Sequence, residues 1–239
     1  MGTKNNTSYL ESTRLLNYEH PALKALIDNK HWKELPEFER IGAVYEFVRN
    51  TIYFGYNSSD ELKASQVLDD GYGQCNTKAT LLMSLLRACN IPCRFHAFKI
   101  EKSVQKGIIT GLAYKITPQN IIHSWVEVWF KESWIILEGV IIDDLFLQSL
   151  RQHFSNDKEF NAYGVSTPDL MNPLIEWKGK DTFIQNMGIN HDFGIFSCPD
   201  DFYAQHGSNL SGFKKCLYSR LVRHSMNRKV QKIRKQEGL

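Results

Sequence analysis

The feature that most constrains the fold is a glycine-rich turn that runs directly into a long apolar-periodic segment. The turn is Gly71-Tyr-Gly-Gln, and Cys75 follows it as the first residue of the segment. Apolar residues recur at helical spacing as far as Ala88, and Asn90 and Pro92 follow where a helix would end. The sequence therefore predicts a helix from Cys75 to Ala88 with a cysteine at its N-terminus.

This position has chemical consequences for the thiol of Cys75. The first backbone N–H groups of a helix have no partner within the helix, and the helix dipole is positive at that end. Both effects favour the thiolate, which is the nucleophilic form, and the same N–H groups can stabilise an oxyanion. The alternative for Cys75 is a structural thiol of the core. Cys89 lies at the opposite helix end, where the dipole disfavours a thiolate.

Three apparent strands follow the helix, at 94–101, 121–130 and 134–142. In the second strand the side chains alternate strictly, so His123, Trp125 and Glu127 share one face. Only Lys131-Glu132 separates the last two strands, which predicts a hairpin with a two-residue loop.

The register of this hairpin decides whether Glu138 can reach His123. With a two-residue loop, the numbers of opposite residues sum to 263, and Glu138 lies opposite Trp125 and diagonal to His123. A diagonal neighbour is within reach of a long side chain, whereas a loop of three residues would turn Glu138 to the other face. Asp143 and Asp144 fit the spacing less well. Backbone bonding of His123 and a structural ion pair of Glu138 remain the alternatives.

A cysteine, a histidine and a carboxylate in this arrangement perform acyl transfer through a thioester. The imidazole takes the thiol proton and later returns it to the leaving group, while the carboxylate orients the ring and stabilises the imidazolium. We therefore expect Cys75 as nucleophile, His123 as base and Glu138 as the orienting acid. Gln74, Tyr72 and Trp125 flank these residues and are candidates for oxyanion or substrate binding.

These segments resemble the transglutaminase-like superfamily, which is related to papain-type thiol proteases. Gly73-Gln-Cys75 with Ala79 is similar to the family's Gly-x-Cys helix start, and His123-Ser-Trp-Val-Glu-Val to its His-Ala-Trp-x-Glu-Val strand. The run 85–92, Leu-Leu-Arg-Ala-Cys-Asn-Ile-Pro, also looks like a family motif. In the third motif, Trp134 to Glu138, Glu stands where the family usually has Asp.

The resemblance implies an α+β fold, with a papain/transglutaminase-like core in which the helix bearing the cysteine packs on an antiparallel sheet. It also implies an amide or ester carbonyl as substrate, with hydrolysis or transfer to an amine as the reaction. The substrate would be a peptide, a protein or a small amide. The alternative is a catalytically silent scaffold that binds a peptide or protein partner in the same cleft.

The 239 residues suffice for one large domain or two small ones. We expect an N-terminal helical segment over 1–40 and the catalytic core over 41–150. Residues 151–239 are expected to form an irregular extension that ends in a basic helix and packs on the core.

The cysteines and the lack of apolar runs bear on the compartment and on cofactors. Five cysteines without framework spacing, no secretory h-region at the start of the sequence and no run of about 20 apolar residues favour a reduced, cytoplasmic protein without a membrane span. Cys89 with Cys93, and His191 with Cys198 and His206, lack the spacing of metal ligands. We expect neither a metal nor a cofactor.

Charge is distributed unevenly along the chain. Nine of the 29 Lys and Arg residues and one of the 26 acidic residues lie after residue 213, which leaves 20 basic and 25 acidic residues in the body. Apolar residues at helical spacing run through this basic tail (Val222, Met226, Val230 and Ile233). We expect the tail to pack on the acidic body and not to bind nucleic acid. The sequence does not indicate an oligomeric state.

Overall fold

A computed structural model describes residues 6–156, 158–210 and 212–237. Before the first sheet lie helices α1 (Pro21–Lys30), α2 (Glu37–Glu46) and α3 (Ala64–Asp70), and a single π-helical turn, Phe47–Thr51, extends α2. Two short parallel strands, β1 (Tyr53–Phe54) and β2 (Tyr72–Gly73), pair on either side of α3. The glycine turn thus enters the main helix directly from a strand.

Helix α4 (Cys75–Ala88) has the bounds that the sequence predicts. Its residues from Asn76 to Arg87 are all buried, so the helix lies in the middle of the core and not on its surface. Beyond it, Asn90 adopts a positive φ of 60°, as a helix C-terminus often requires.

The main sheet packs against α4 and consists of β3 (Cys93–Glu101), β4 (Asn120–Phe130), β5 (Ser133–Ile136) and β8 (Ile189–Phe196), in the order β5-β4-β3-β8. Each neighbouring pair is antiparallel. The expected fold, an α+β arrangement with the cysteine-bearing helix on an antiparallel sheet, is confirmed.

The hairpin between β4 and β5 has the expected register. Phe130 pairs with Ser133 and Glu127 with Ile136, so opposite numbers sum to 263. Lys131 and Glu132 both have positive φ, as a tight two-residue turn requires. The expected strand 134–142 is wrong in extent, because β5 ends at Ile136 and a 3-10 turn, Glu138–Ile141, follows.

Two further segments in the middle of the chain contain short helices: the connector between β3 and β4, and the segment after β5. Residues 102–120 contain a 3-10 turn (Lys102–Gln105) and a short helix α5 (Gly111–Ile116), and α6 (Asp144–His153) follows the Glu138 turn. The sequence predicts α6 within one residue at either end and treats α5 only as connector.

The expectation that the extension 151–239 is irregular before its basic helix is wrong over 155–213. This stretch contains the hairpin β6 (Phe160–Ala162) and β7 (Val165–Thr167), the sheet strand β8, and helix α7 (Pro199–His206). Strand β8 was missed because it is an edge strand with bulges, its sequence INHDFGIF does not alternate, and no residue in it is fully buried.

Charged side chains tie the edge strand to the sheet. His96 on β3 bonds to Glu127 at 2.7 Å and to Asp192 of β8 at 2.9 Å, and Arg94 donates to Glu127 at 2.7 Å. Burial alone would raise the pKa of Glu127, but these hydrogen bonds outweigh it and lower the pKa to about 2. The cluster therefore holds a carboxylate in its charged form across three strands.

The basic tail forms α8 (Gly212–Leu217), a π-helical turn (Tyr218–Val222) and α9 (Arg223–Arg234). Met226, Val230 and Ile233 of the apolar stripe are buried in the common core. Arg234 donates to both oxygens of the buried Asp143, at 3.0 and 2.8 Å. The tail thus packs on the body through apolar contacts and a buried ion pair.

None of the helices in the described ranges has the length and apolar character needed to cross a membrane.

Candidate active site

The turn before α4 packs closely against the first turn of the helix, and this packing fixes the position of Cys75 at the helix N-terminus. Gly71 ends α3 with a positive φ of 69°. At Gly73 an added Cβ would come within 2.8 Å of the Thr77 hydroxyl and 2.9 Å of the Lys78 side chain, so only glycine fits there. Within the described part of the chain, the N–H groups of Cys75 and Asn76 donate to no other group. They are free to bind a developing negative charge.

The structure brings His123 and Glu138 into direct contact. His123 Nε2 donates to Glu138 Oε1 at 2.7 Å, and both side chains are 0% exposed. The other carboxylate oxygen of Glu138 accepts the backbone N–H groups of Ile184 and Gln185, at 2.8 and 3.0 Å. Glu138 is thus fixed from two sides, and it fixes the orientation of the imidazole.

The second ring nitrogen of His123 is the atom available to Cys75. Nδ1 is buried and makes no hydrogen bond of normal geometry with a described side chain or backbone group. Burial, the largest influence, would lower the pKa of His123, but the hydrogen bonding and charge of Cys75 and Glu138 outweigh it and raise the pKa to about 10. Cys75 therefore lies close enough to influence the imidazole, but its thiol and His123 Nδ1 do not have the alignment of a hydrogen bond. Such loose contacts are common in unliganded active sites.

Asn76 ties the N-terminus of α4 to the strand that carries His123. Its side chain donates to the Ile122 carbonyl at 3.3 Å and accepts the Ser124 hydroxyl at 2.9 Å. These two residues flank His123 on β4. Asn76 thereby sets the position of the thiol relative to the imidazole.

Asp60 holds the amide side chains around Cys75. One of its oxygens accepts Gln74 Nε2 at 3.3 Å and Asn76 Nδ2 at 3.0 Å, and the other accepts the Asn209 side chain at 2.9 Å. Asn209 in turn accepts the Ile122 N–H at 2.7 Å. Sequence patterns gave no signal for Asp60 or Asn209, because neither lies in a motif or a periodic segment.

The three candidates for oxyanion or substrate binding occupy different places. Gln74 precedes the thiol and lines the same cavity as Cys75. Trp125 is buried with its ring centroid 6.3 Å from that of His123, and it does not line the cavity. Tyr72 points away from the cavity, and its hydroxyl accepts from Arg223 at 3.1 Å. Of the three, Gln74 alone is placed to touch a substrate.

The rival carboxylates have other partners. Asp143 caps α6 through the Phe146 N–H at 3.0 Å and binds Arg234, and Asp144 pairs with Arg49. Cys89 is fully buried, and burial raises its pKa to about 11. Throughout the described ranges, no cluster of three or more His, Cys, Asp or Glu side chains is arranged to hold a metal.

A cavity of about 590 Å³ opens beside the thiol of Cys75. Its walls come from the loop before α3, from the ends of β3 and β4, and from the C-terminal segment beyond residue 207. Tyr56 and Tyr218 line it, and burial, the largest influence on either, raises the pKa of both hydroxyl groups. Both hydroxyl groups therefore stay neutral next to the thiol.

Residues 24–139 match the sequence model of the transglutaminase-like superfamily. This part of the chain, slightly less than half of its length, is therefore similar to members of that superfamily. The matched segment contains Cys75, His123 and Glu138 and ends one residue after Glu138. This similarity supports a thiol-dependent enzyme in general.

Other comparisons are more distant. A crystal structure described as a “putative cysteine protease” from Cytophaga hutchinsonii is 14% identical, with a TM-score of 0.49 over 84% of this chain. The chain spans about half the length of that protein (50%). No curated protein matches the chain.

Proposed function

We propose that this protein is a cysteine acyltransferase or hydrolase that forms a thioester on Cys75, with His123 as base and Glu138 as the orienting carboxylate. The observation that carries the proposal is the buried His123, which donates through Nε2 to Glu138 at 2.7 Å. Cys75 and Glu138 together raise the pKa of this imidazole.

The arrangement supports the following sequence of steps. His123 Nδ1 takes the thiol proton, and the thiolate attacks the carbonyl carbon of an amide or ester. The free N–H groups at the start of α4 stabilise the oxyanion. The bond from the carbonyl carbon to the leaving group then breaks, and the leaving group departs with the proton from His123. Water or an amine next attacks the thioester carbon and gives a proton to His123; the C–S bond breaks, and the sulfur of Cys75 regains its proton from His123.

The raised pKa of His123 supports this division of roles. A histidine with a raised pKa holds the proton that it takes from the thiol until the leaving group needs it. Glu138 stabilises that imidazolium.

The experiment measures p-nitrophenolate release from p-nitrophenyl acetate together with intact-protein mass spectrometry. We expect a burst of about one equivalent and an acetyl group on Cys75, both lost in Cys75→Ala. The matched control is Cys216→Ser, which removes the exposed cysteine and leaves the burst intact.

Iodoacetamide labelling provides a second readout. Cys75 should be alkylated at least tenfold faster than Cys89, whose pKa burial raises. Equal labelling of the two, with no acetyl-enzyme, would instead favour a silent scaffold that uses the cleft only for binding.

A further inference from the structure

Most of the surface that lines the Cys75 cavity is apolar. Ile100, Val104 and Ile109 line it from β3 and the connector that follows, and Leu217, Val222 and Met226 line it from the C-terminal segment. Ile100, Val104, Ile109 and Met226 are buried. A ligand there would mainly meet methyl and methylene groups.

The polar side chains next to the thiol bond to one another, whereas Lys215 and Gln185 add polar groups elsewhere on the cavity wall, and Gln185 Oε1 is buried without a hydrogen-bond partner among the described groups. Asp60 accepts hydrogen bonds from Gln74, Asn76 and Asn209, so both of its carboxylate oxygens already have donors. Next to the thiol, the donors left for a substrate are the free N–H groups at the start of α4, which can bind one carbonyl oxygen.

The cavity suits the acyl group of a substrate better than its leaving group. After thioester formation the leaving group must depart and an acceptor must enter, whereas the acyl group stays on the sulfur. A space lined by β3, the connector after it and the C-terminal segment suits the group that stays. Its 590 Å³ holds an acyl chain of about eight carbons with room to spare, since a methylene occupies roughly the 30 Å³ of one liquid water.

We propose that the acyl group transferred through Cys75 is an apolar chain, such as a medium-chain fatty acyl group, bound between the end of β3 and the C-terminal helices. This rests on the thioester function proposed above. In the first step the Cys75 thiolate forms an S–C bond to the acyl carbon, the bond to the leaving group breaks, and the leaving group takes the proton from His123. The chain itself is unchanged.

The test varies the acyl chain with a constant leaving group. Acylation of Cys75 is measured with p-nitrophenyl acetate, butyrate and octanoate below their micelle concentrations. A buried methylene is worth about a fourfold increase in rate constant, so kcat/KM for octanoate should exceed that for acetate by at least 50-fold. Equal values for acetate and octanoate would overturn the inference while leaving the thioester function intact.

Two neighbouring residues provide matched variants. Val222 lines the cavity, whereas Leu221 is 64% exposed and does not. Val222→Trp should lower the ratio of octanoate to acetate rates at least tenfold, and Leu221→Trp should leave the ratio unchanged. A ratio unaffected by Val222→Trp would place the chain elsewhere and refute the assignment.

A binding measurement separates this inference from the catalytic proposal. If no ester acylates Cys75, the thioester function fails, and octanamide is titrated calorimetrically into the Cys75→Ala protein. Binding that Val222→Trp weakens at least tenfold supports an apolar occupant of the cavity. An absence of binding overturns it.

Discussion

Replacing Glu138 by glutamine would test the orienting role of this carboxylate with little change in volume. One oxygen of Glu138 accepts the N–H groups of Ile184 and Gln185, and the other accepts His123 Nε2–H. In Glu138→Gln the amide oxygen must face the two backbone donors, since its NH2 group would clash with them. The NH2 group therefore faces Nε2 and forces the proton of the ring onto Nδ1.

A proton on Nδ1 leaves no base for the thiol of Cys75, so the expected loss is large. Trapping a catalytic histidine in the wrong tautomer costs about 10⁴-fold in kcat. We expect kcat/KM to fall 10³- to 10⁴-fold, which corresponds to about 4–5.5 kcal/mol of transition-state stabilisation. The free energy of unfolding should fall by about 1–3 kcal/mol, because one N–H of the new buried amide has no partner. Glu138→Asp keeps the charge, so its kcat/KM should lie between that of the unaltered protein and that of Glu138→Gln.

The pH profile provides a readout that a purely structural role would not change. A leaving amine needs the proton of the His123 imidazolium, so activity on p-nitroacetanilide is lost as pH rises through the raised pKa of His123, about 10. Without the Glu138 charge that pKa falls, and the alkaline limb should move toward neutral pH. A Glu138→Gln protein with the same alkaline limb and less than a tenfold loss of kcat/KM would refute the role of Glu138.

Two further predictions concern stability, measured by urea unfolding. Arg234→Met leaves the carboxylate of Asp143 buried without the Arg234 cation and should lower the free energy of unfolding by about 3–5 kcal/mol. The control is Arg14→Met at an exposed ion pair, which should lower it by less than about 1 kcal/mol. Equal losses in the two variants would contradict a stabilising role of the buried ion pair. Because the pKa of Glu127 is lowered from 4.5 to about 2, its contribution is fully present above pH 4.5 and is lost as pH falls toward 2. Glu127→Gln should therefore flatten the dependence of stability on pH between 5 and 3, and an unchanged slope would disprove the assignment.

The sequence predicted the parts of the site that depend on local patterns. The bounds of α4 follow from Gly73 and Pro92 on either side of it, and the register that brings Glu138 near His123 follows from the length of a two-residue loop. The register was correct although β5 ends early, because the loop fixes the pairing of the first residues and Glu138 reaches His123 from the turn that follows.

The parts that were not predicted depend on contacts between distant segments. Asp60 and Asn209 contact the site from loops without periodicity, and Ile184 and Gln185 contribute backbone N–H groups, which any residue other than proline can supply. No side-chain pattern identifies such donors. Strand β8 escaped prediction for a related reason, since an edge strand with bulges need not alternate.

The two backbone bonds to Glu138 have a consequence for the synthesis of the protein. Their donors follow Glu138 in the chain by 46 and 47 residues, and they lie well beyond residue 139, where the family match ends. At about 5–20 residues per second, a ribosome takes several seconds to add that stretch. During this interval a nascent chain already has its thiol and its imidazole, but the carboxylate that orients the imidazole is not locked in place. The hydrogen bonds that fix Glu138, and through it the imidazole of His123, can therefore form only after most of the polypeptide has been made.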